Sequence, residues 1–317
     1  MFNLVMNENM KIYRRLRTWI MLALLVVGII LIAVVLVTHQ HASAGGWQHG
    51  LRAQIAQYQQ VLKHPNPKFP LTKAGIANIK SHIAIDQYHL AHNIDPNLTT
   101  GVGFAATAEN LSTLLIAFIL VIAGDIMASE FASGAIKMLL TQTATRTKIF
   151  FSKFIAVLIF SLFATALMFV ASLVVGFIFF GPHGAQSPHV FLNAKQQVVQ
   201  MTALSYLLMQ YGFLLVQIVI TATIALMISS IFRSSALAII ISLLAYMVGS
   251  TLVAVLSRYH WVKYILFANT DLSKFVVGGP SIKGMTLGFS VTMLIAYFIV
   301  MMGLAWVVFL RRDVAYT

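Results

Sequence analysis

Six long apolar runs alternate with short polar ones along the chain. They cover residues 18–38, 104–127, 154–180, 198–232, 234–257 and 285–310. A helix of about 20 apolar residues crosses a bilayer, so each run is expected to be one membrane span. The fourth is longer than one crossing needs, so its first turns are expected to be tilted or interfacial. The first run follows Lys11, Arg14, Arg15 and Arg17 and precedes His41-Ala-Ser-Ala44. That tetrapeptide has the small-residue character of a cleavage site. The run exceeds the ~7–15 residues of a signal-peptide apolar region, which favours an uncleaved anchor.

The intervening segments have patterns of their own. Residues 1–17 read as an interfacial helix. Within 39–103, Leu51, Ile55, Tyr58 and Leu62 recur at helical spacing, as do Ile76, Ile79, Ile83 and Leu90. Between them Lys63–Pro70 reads KHPNPKFP, and proline ends helices by removing an amide donor and clashing with the preceding turn. A helical hairpin is therefore expected, closed by Asp95-Pro96. Gly181–Pro188 reads as a turn, and Arg233-Ser-Ser as a tight one. Residues 258–283 mix Tyr259, Trp261, Tyr264 and Phe267 with Arg258 and Lys263, which suits a re-entrant or interfacial segment. Residues 311–317 form a tail.

Composition narrows the class. The 317 residues are 59% hydrophobic and 9% charged, against roughly 25% charged in soluble domains. The fold class is thus an all-α polytopic membrane protein. The net charge of +13 is scattered over loops and span ends, where it would meet membrane lipids. Nucleic acid is not an expected partner. There is no cysteine, so disulfides and thiolate metal sites are excluded. Six spans place both termini on one side, and that side carries 11 Lys and Arg, against 10 on the other. Long loops cross largely regardless of charge. Setting aside the five basic residues of 39–103 leaves 11 against 5, so the termini are expected to be cytoplasmic and the hairpin extracytoplasmic.

Enzymatic constellations are missing. No GxxxxGK[ST] pattern occurs, and GGPSIKG around Lys283 has the wrong spacing. HExxH is absent. Seven of ten histidines precede residue 93, and His82, His89 and His92 fall roughly on one helical face. A solvated polar face accounts for them better than a metal site, which needs defined close ligands. Asp125 and Glu109 lie about 24 Å apart along one helix at 1.5 Å per residue, too far for a proton-sharing dyad. In span four Tyr206, Gln210, Gln217 and Thr221 share one face that should point into the bundle. It would form either a wall of a substrate path or interhelical hydrogen bonds. Gly284 with Gly288, and Ala245 with Gly249, are small-xxx-small pairs better assigned to packing within the chain.

One polar stretch differs from the rest: Gly124–Lys153, GDIMASEFASGAIKMLLTQTATRTKIFFSK. Ile126, Glu130, Gly134 and Lys137 share one helical face; Phe131, Ala135 and Met138 share another. A short amphipathic loop between spans suits docking to a soluble partner. The stretch resembles the first cytoplasmic loop of ABC-2 type permeases, most closely those of bacitracin and lantibiotic self-protection. Glu130, Gly134, Leu139, Leu140, Arg146 and Lys153 match that family's pattern. Ala135, Thr143 and Thr145 stand where Thr, Pro and Ser are usual. The N-terminal NENMKIYRRLRTW and the six-span layout are similar too.

The resemblance implies a permease subunit that contacts a separate ABC ATPase through residues 128–153, with Glu130, Gly134, Lys137, Arg146, Lys148 and Lys153 as the coupling loop. It implies ATP bound by that partner and no cofactor on this chain. It also implies a second permease copy or paralogue, and amphipathic substrates such as antimicrobial peptides or lipid-linked molecules. Loop charges of this kind are expected to be hydrated, so that a Glu130–Arg146 pair would contribute only ~0–1 kcal/mol. The alternative is a membrane sensor whose hairpin binds a ligand and whose loop recruits a signalling partner.

Overall fold

The computed structural model describes residues 1–42, 46–64, 73–96, 98–133, 145–280, 282 and 284–311. Helix α1 (Phe2–Tyr13) is amphipathic and buries Val5, Glu8 and Ile12 on one stripe. A bend at Arg14-Arg15 leads into α2 (Leu16–Ala42). The bend is closed by two side chains that donate to carbonyls of the last turn of α1. Thr18 Oγ1 donates to Ile12 O (2.7 Å) and Trp19 Nε1 to Tyr13 O (2.8 Å).

The protein is an all-α polytopic membrane protein with six spanning helices. The spans are Leu16–Thr38, Gly101–Ala132, Arg146–Phe180, Ala203–Ile231, Ser235–Leu256 and Leu287–Arg311. The second is composite: α5 (Gly101–Ala108), one 3-10 turn (Glu109–Leu111), then α6 (Ser112–Ala132). The others are α2, α7 (Arg146–Phe180), α8 (Ala203–Ile231), α9 (Ser235–Leu256) and α11 (Leu287–Arg311). The hairpin between the first two spans is α3 (Trp47–Lys63) with α4 (Lys73–Ala91). The Pro-rich turn expected between them, 65–70, lies outside the described residues. The segment after α9 folds into short turns at His260–Tyr264 and Ser273–Phe275, with α10 (Leu266–Asn269) between them. Asn269 is its fully buried pin, donating to Lys263 O and Ile265 O and accepting from Ser290 Oγ of α11.

Two boundaries differ from the sequence expectation. Span four begins at Ala203, not 198, because Val198–Thr202 is a strand, β2, antiparallel to β1 (Pro188–Leu192), with Leu192 opposite Val198. Two β-branched valines open β2, and Asn193 Oδ1 fixes the turn by accepting from the Lys195 and Gln197 amides (2.9 and 3.0 Å). The coupling loop expected over 128–153 is largely helix where it is described. Span two continues through Ala132. Span three starts at Arg146, where Thr145 caps it by accepting from the Lys148 amide. Both arms of the loop are thus rigid extensions of spans.

The spans differ in burial. Of the apolar stretches of α8 and of α5–α6, 67% and 61% are buried, against 6% for that of α9. The core is therefore built on α6 and α8, with α7 beside them, and α9 presents nearly all its surface outward. Leu25 and Ile29 of α2, Leu115 and Ile119 of α6, Phe150 and Phe160 of α7, and Leu207 of α8 are fully or almost fully buried in one cluster. At Gly124 a side chain would begin 3.3 Å from the Ile239 Cα, so glycine sets how closely α6 approaches α9. At Gly249 the Phe267 ring occupies the space a side chain would fill. The Ala245–Gly249 pair therefore serves packing within the chain.

Candidate functional site

Charge gathers at the end of the bundle that carries the chain termini. Lys153, about two turns into α7, is fully buried. Its Nζ lies 2.9 Å from Glu8 Oε2 of α1 and 2.6 Å from Glu130 Oε2 of α6. Lys11 Nζ closes the ring, 2.7 Å from Glu8 Oε1 and 2.8 Å from Glu130 Oε1. Two carboxylates and two ammonium groups thus alternate and join three helices. Beside them Asp125 pairs with Arg15 and Arg17 and accepts from Ser235 at the start of α9. A gap of about 20 Å³ between the two groups, lined by Glu8, Arg17 and Ser129 among others, is roughly the room one water needs.

Burial decides the energetics. Surface pairs contribute little, whereas removing one member of a buried pair leaves an uncompensated charge. Burial alone would raise the Glu8 carboxyl, but the Lys153 ammonium and hydrogen bonds from Lys11 and Lys153 outweigh it and hold Glu8 below its ordinary value. For Lys11, burial would lower the ammonium, but the bonds to Glu130 and Glu8 raise it instead. Glu8 and Lys11 therefore stay charged across neutral pH. The ring's chemistry is that of a mechanical joint between α1 and both arms of the loop.

The sequence-derived loop residues divide sharply. Glu130 is 7% exposed, which corrects the expectation of a hydrated charge. It sits on a continuing helix and is neutralised by Lys11 and Lys153. Arg146 also faces inward: its Nη1 donates to Leu310 O (2.8 Å), near the end of α11. A cation there complements the negative end of that helix. Lys148 is exposed. Gly134 and Lys137 lie outside the described residues. Sequence reasoning missed Glu8, Lys11, Arg15 and Arg17 as partners. The available signal was Glu8 itself, an acid between Val5 and Ile12 on the apolar stripe of α1.

The polar face of span four separates into two contacts. Towards the hairpin end, Gln210 Nε2 donates to Tyr206 OH (3.0 Å), and the Tyr206 ring stacks on His189 of β1 (3.9 Å). Deeper in the span, Gln217 Nε2 reaches Tyr246 OH of α9 (3.4 Å), and Thr221 Oγ1 donates to Gln217 O (3.0 Å). Gln217 and Tyr246 also line a cleft of about 390 Å³ with Ser250, Phe267, Asp271 and Lys274. Part of the face therefore makes interhelical bonds and part borders open volume. A second cavity, about 420 Å³, lies where the hairpin meets span two and β1. Of the three histidines on one face, His82 packs against Tyr58 and His92 stacks on Tyr88, while His89 lines this cavity. Among the described residues no group of three or more metal-ligating side chains converges.

These features define a class: a six-span helical membrane protein whose N-terminal amphipathic helix is locked by buried ion pairs to the arms of its first loop on that face. The chain belongs to the family described as "Protein of unknown function (DUF2705)", which it matches over residues 77–315. It is 35% identical over 322 residues to the "Uncharacterized protein YhcI" of Bacillus subtilis, covering 99% of this chain and all of that one. It is 32% identical over 216 residues to the "Uncharacterized membrane protein YdbK" of the same organism, covering 67% of this chain and 83% of that one.

Proposed function

We propose that this chain is the permease subunit of an ATP-driven ABC-2 type exporter in a bacterial plasma membrane, with ATP hydrolysed by a separate subunit. One observation carries the proposal. Glu130 on the last turn of α6 and Lys153 near the start of α7 are bound through buried Glu8 and through Lys11, at the ring's outer edge, to α1. A push on the loop between these arms reaches two core spans and the N-terminal helix together, as a coupling element requires. The resemblance of residues 124–153 to the ABC-2 loop gives the push its source. The substrate would be an amphipathic compound, such as an antimicrobial peptide or a lipid-linked molecule, passing the Gln210–Gln217 face. A second permease copy or paralogue would complete the path.

The test is affinity purification of the tagged chain from its native membranes, with identification of the soluble protein that accompanies it. Recovery of an ABC ATPase supports the proposal. Recovery of a histidine kinase with no ATPase supports the sensor instead, a reading favoured by the 420 Å³ cavity at the hairpin.

A further inference from the structure

Two opposite charges in the segment after α9 line one cleft without pairing. The cleft, about 390 Å³, lies between α8, α9 and that segment, at the end of the bundle away from the termini. Asp271 and Lys274 both line it. They interact electrostatically, yet none of the ion pairs among the described residues joins them. The amide and the hydroxyl of Ser273 both donate to Oδ1 of Asp271 (3.0 and 2.6 Å). A carboxylate accepts through both oxygens, so Oδ2 remains for an incoming donor. Lys274 is half-buried and donates to Ala268 O, which uses one of the three protons of an ammonium. A cation removed from water without a direct counter-ion is costly, and an anionic oxygen in the cleft would supply one. Among the described residues Lys274 is the one basic side chain lining the cleft. Lys263 lies instead over the rings of Tyr264 (5.0 Å) and Phe289 (5.6 Å).

The rest of the lining divides in two. Ser250, Ser257 and Thr270 bring hydroxyls, and Val253, Phe267 and Met285 bring apolar surface. Each hydroxyl donates to a carbonyl of its own turn, Tyr246 O, Ala254 O and Phe267 O in that order. Their oxygens are left as acceptors, which suits a ligand that brings N–H donors. Next to the cleft, α9 carries exposed Ile240, Leu244 and Met247 at i, i+4 and i+7. This stripe continues through Thr251 to Ala254 in the cleft wall. From Ile240 to Met247 it runs about 10 Å at 1.5 Å per residue, and α9 is the least buried of the six spans. Hydrocarbon chains can therefore lie against it directly.

We propose that this cleft binds one zwitterionic phospholipid with a primary-amine headgroup, taken from the leaflet on the hairpin side. Lys274 holds the phosphate. Asp271 and the hydroxyl oxygens hold the ammonium, and the acyl chains lie on the Ile240–Met247 stripe. Gln217 and Tyr246 close the deep end of the cleft, so the bound lipid sits beside the polar face of span four. The site stands on the cleft alone and needs no ATPase.

The test titrates the full chain, stripped of lipid in detergent, with phosphatidylethanolamine and counts bound lipid by native mass spectrometry. One molecule should bind, about ten-fold or more tighter than phosphatidylglycerol, which has no ammonium, or phosphatidylcholine, whose ammonium cannot donate. Ala254→Trp, which fills the cleft from an exposed position, should remove binding and leave the melting temperature unchanged. Lys274→Gln should weaken all three lipids, whereas Asp271→Asn should erase the preference over phosphatidylglycerol. Glycerophosphoethanolamine, the same headgroup without chains, should compete poorly. Phosphatidylglycerol bound as tightly as phosphatidylethanolamine, unchanged binding in folded Ala254→Trp, or full competition by the soluble headgroup would overturn the inference. The assay reads neither ATPase recovery nor export, so its failure leaves the exporter proposal as it was.

Discussion

Lys153 is the residue on which the joint depends, because it is the one ring member with no exposure at all and it touches both carboxylates. Lys153→Met should cost about 3–5 kcal/mol, the usual loss when one partner of a buried pair is removed, read as thermal unfolding in detergent. Adding Glu8→Leu should recover part of that loss, since Glu130 would then keep Lys11 to itself. Equal stability of wild type and Lys153→Met would show the ring to be energetically idle. The ring also sets a pH window. The Glu8 carboxyl is lowered on folding, so its contribution is present above the unfolded value of about 4.3 and disappears as pH falls through the lower folded value. The Lys11 ammonium is raised, so its contribution is present below about 10.4 and disappears as pH rises through the higher folded value. Melting temperature should therefore be flat across neutral pH and fall at both ends, with Glu8→Gln weakening the acid limb. Glu130 and Lys153 were singled out in the sequence as coupling-loop residues by the family resemblance. Their partners were not, because no local pattern tells which face of α1 docks against α6 and α7.

At the scale of elements, apolar run length made the six spans legible, since burial in lipid needs length and little else, and helical spacing of apolar residues made both hairpin helices legible. The strand β2 was not legible. Val198–Thr202 is apolar enough to extend a span, and only its pairing with Pro188–Leu192 makes it a strand. The loop arms were misplaced for a related reason: Ala128–Ala132 are compatible with helix or loop, and the ion ring decides for helix. Orientation has a direct check. A cysteine at Gln57 should react with an impermeant thiol reagent in intact cells, and one at Thr143 should not; the reverse pattern would invert the topology. The polar face of α8 has its own. Gln217→Leu breaks one interhelical bond to Tyr246, worth roughly 0.6 kcal/mol on average, so the melting temperature should barely move. If the face lines a path, Gln217→Leu and Gln210→Leu should still lower export or alter the range of compounds exported. A loss of stability with unaltered export would reduce the face to packing.

For the whole molecule, α6 and α8 form the buried centre and α9 the exposed flank, with a joint at one end and a cavity at the other. Under the proposed permease reading, movement would be transmitted between these two ends, and the joint is where a soluble motor would pull. The buried ring members hold the arms in place, while exposed Lys148 is available to a partner. The two roles can be separated by mutation. The decisive measurement is recovery of an ABC ATPase with the tagged chain from native membranes, compared between wild type and Lys148→Glu at matched expression and matched melting temperature. The ATPase should copurify with wild type and fall several-fold with Lys148→Glu, because charge reversal at a docking surface disfavours the partner. An intact, folded wild-type chain that brings down no ATPase would contradict the exporter proposal.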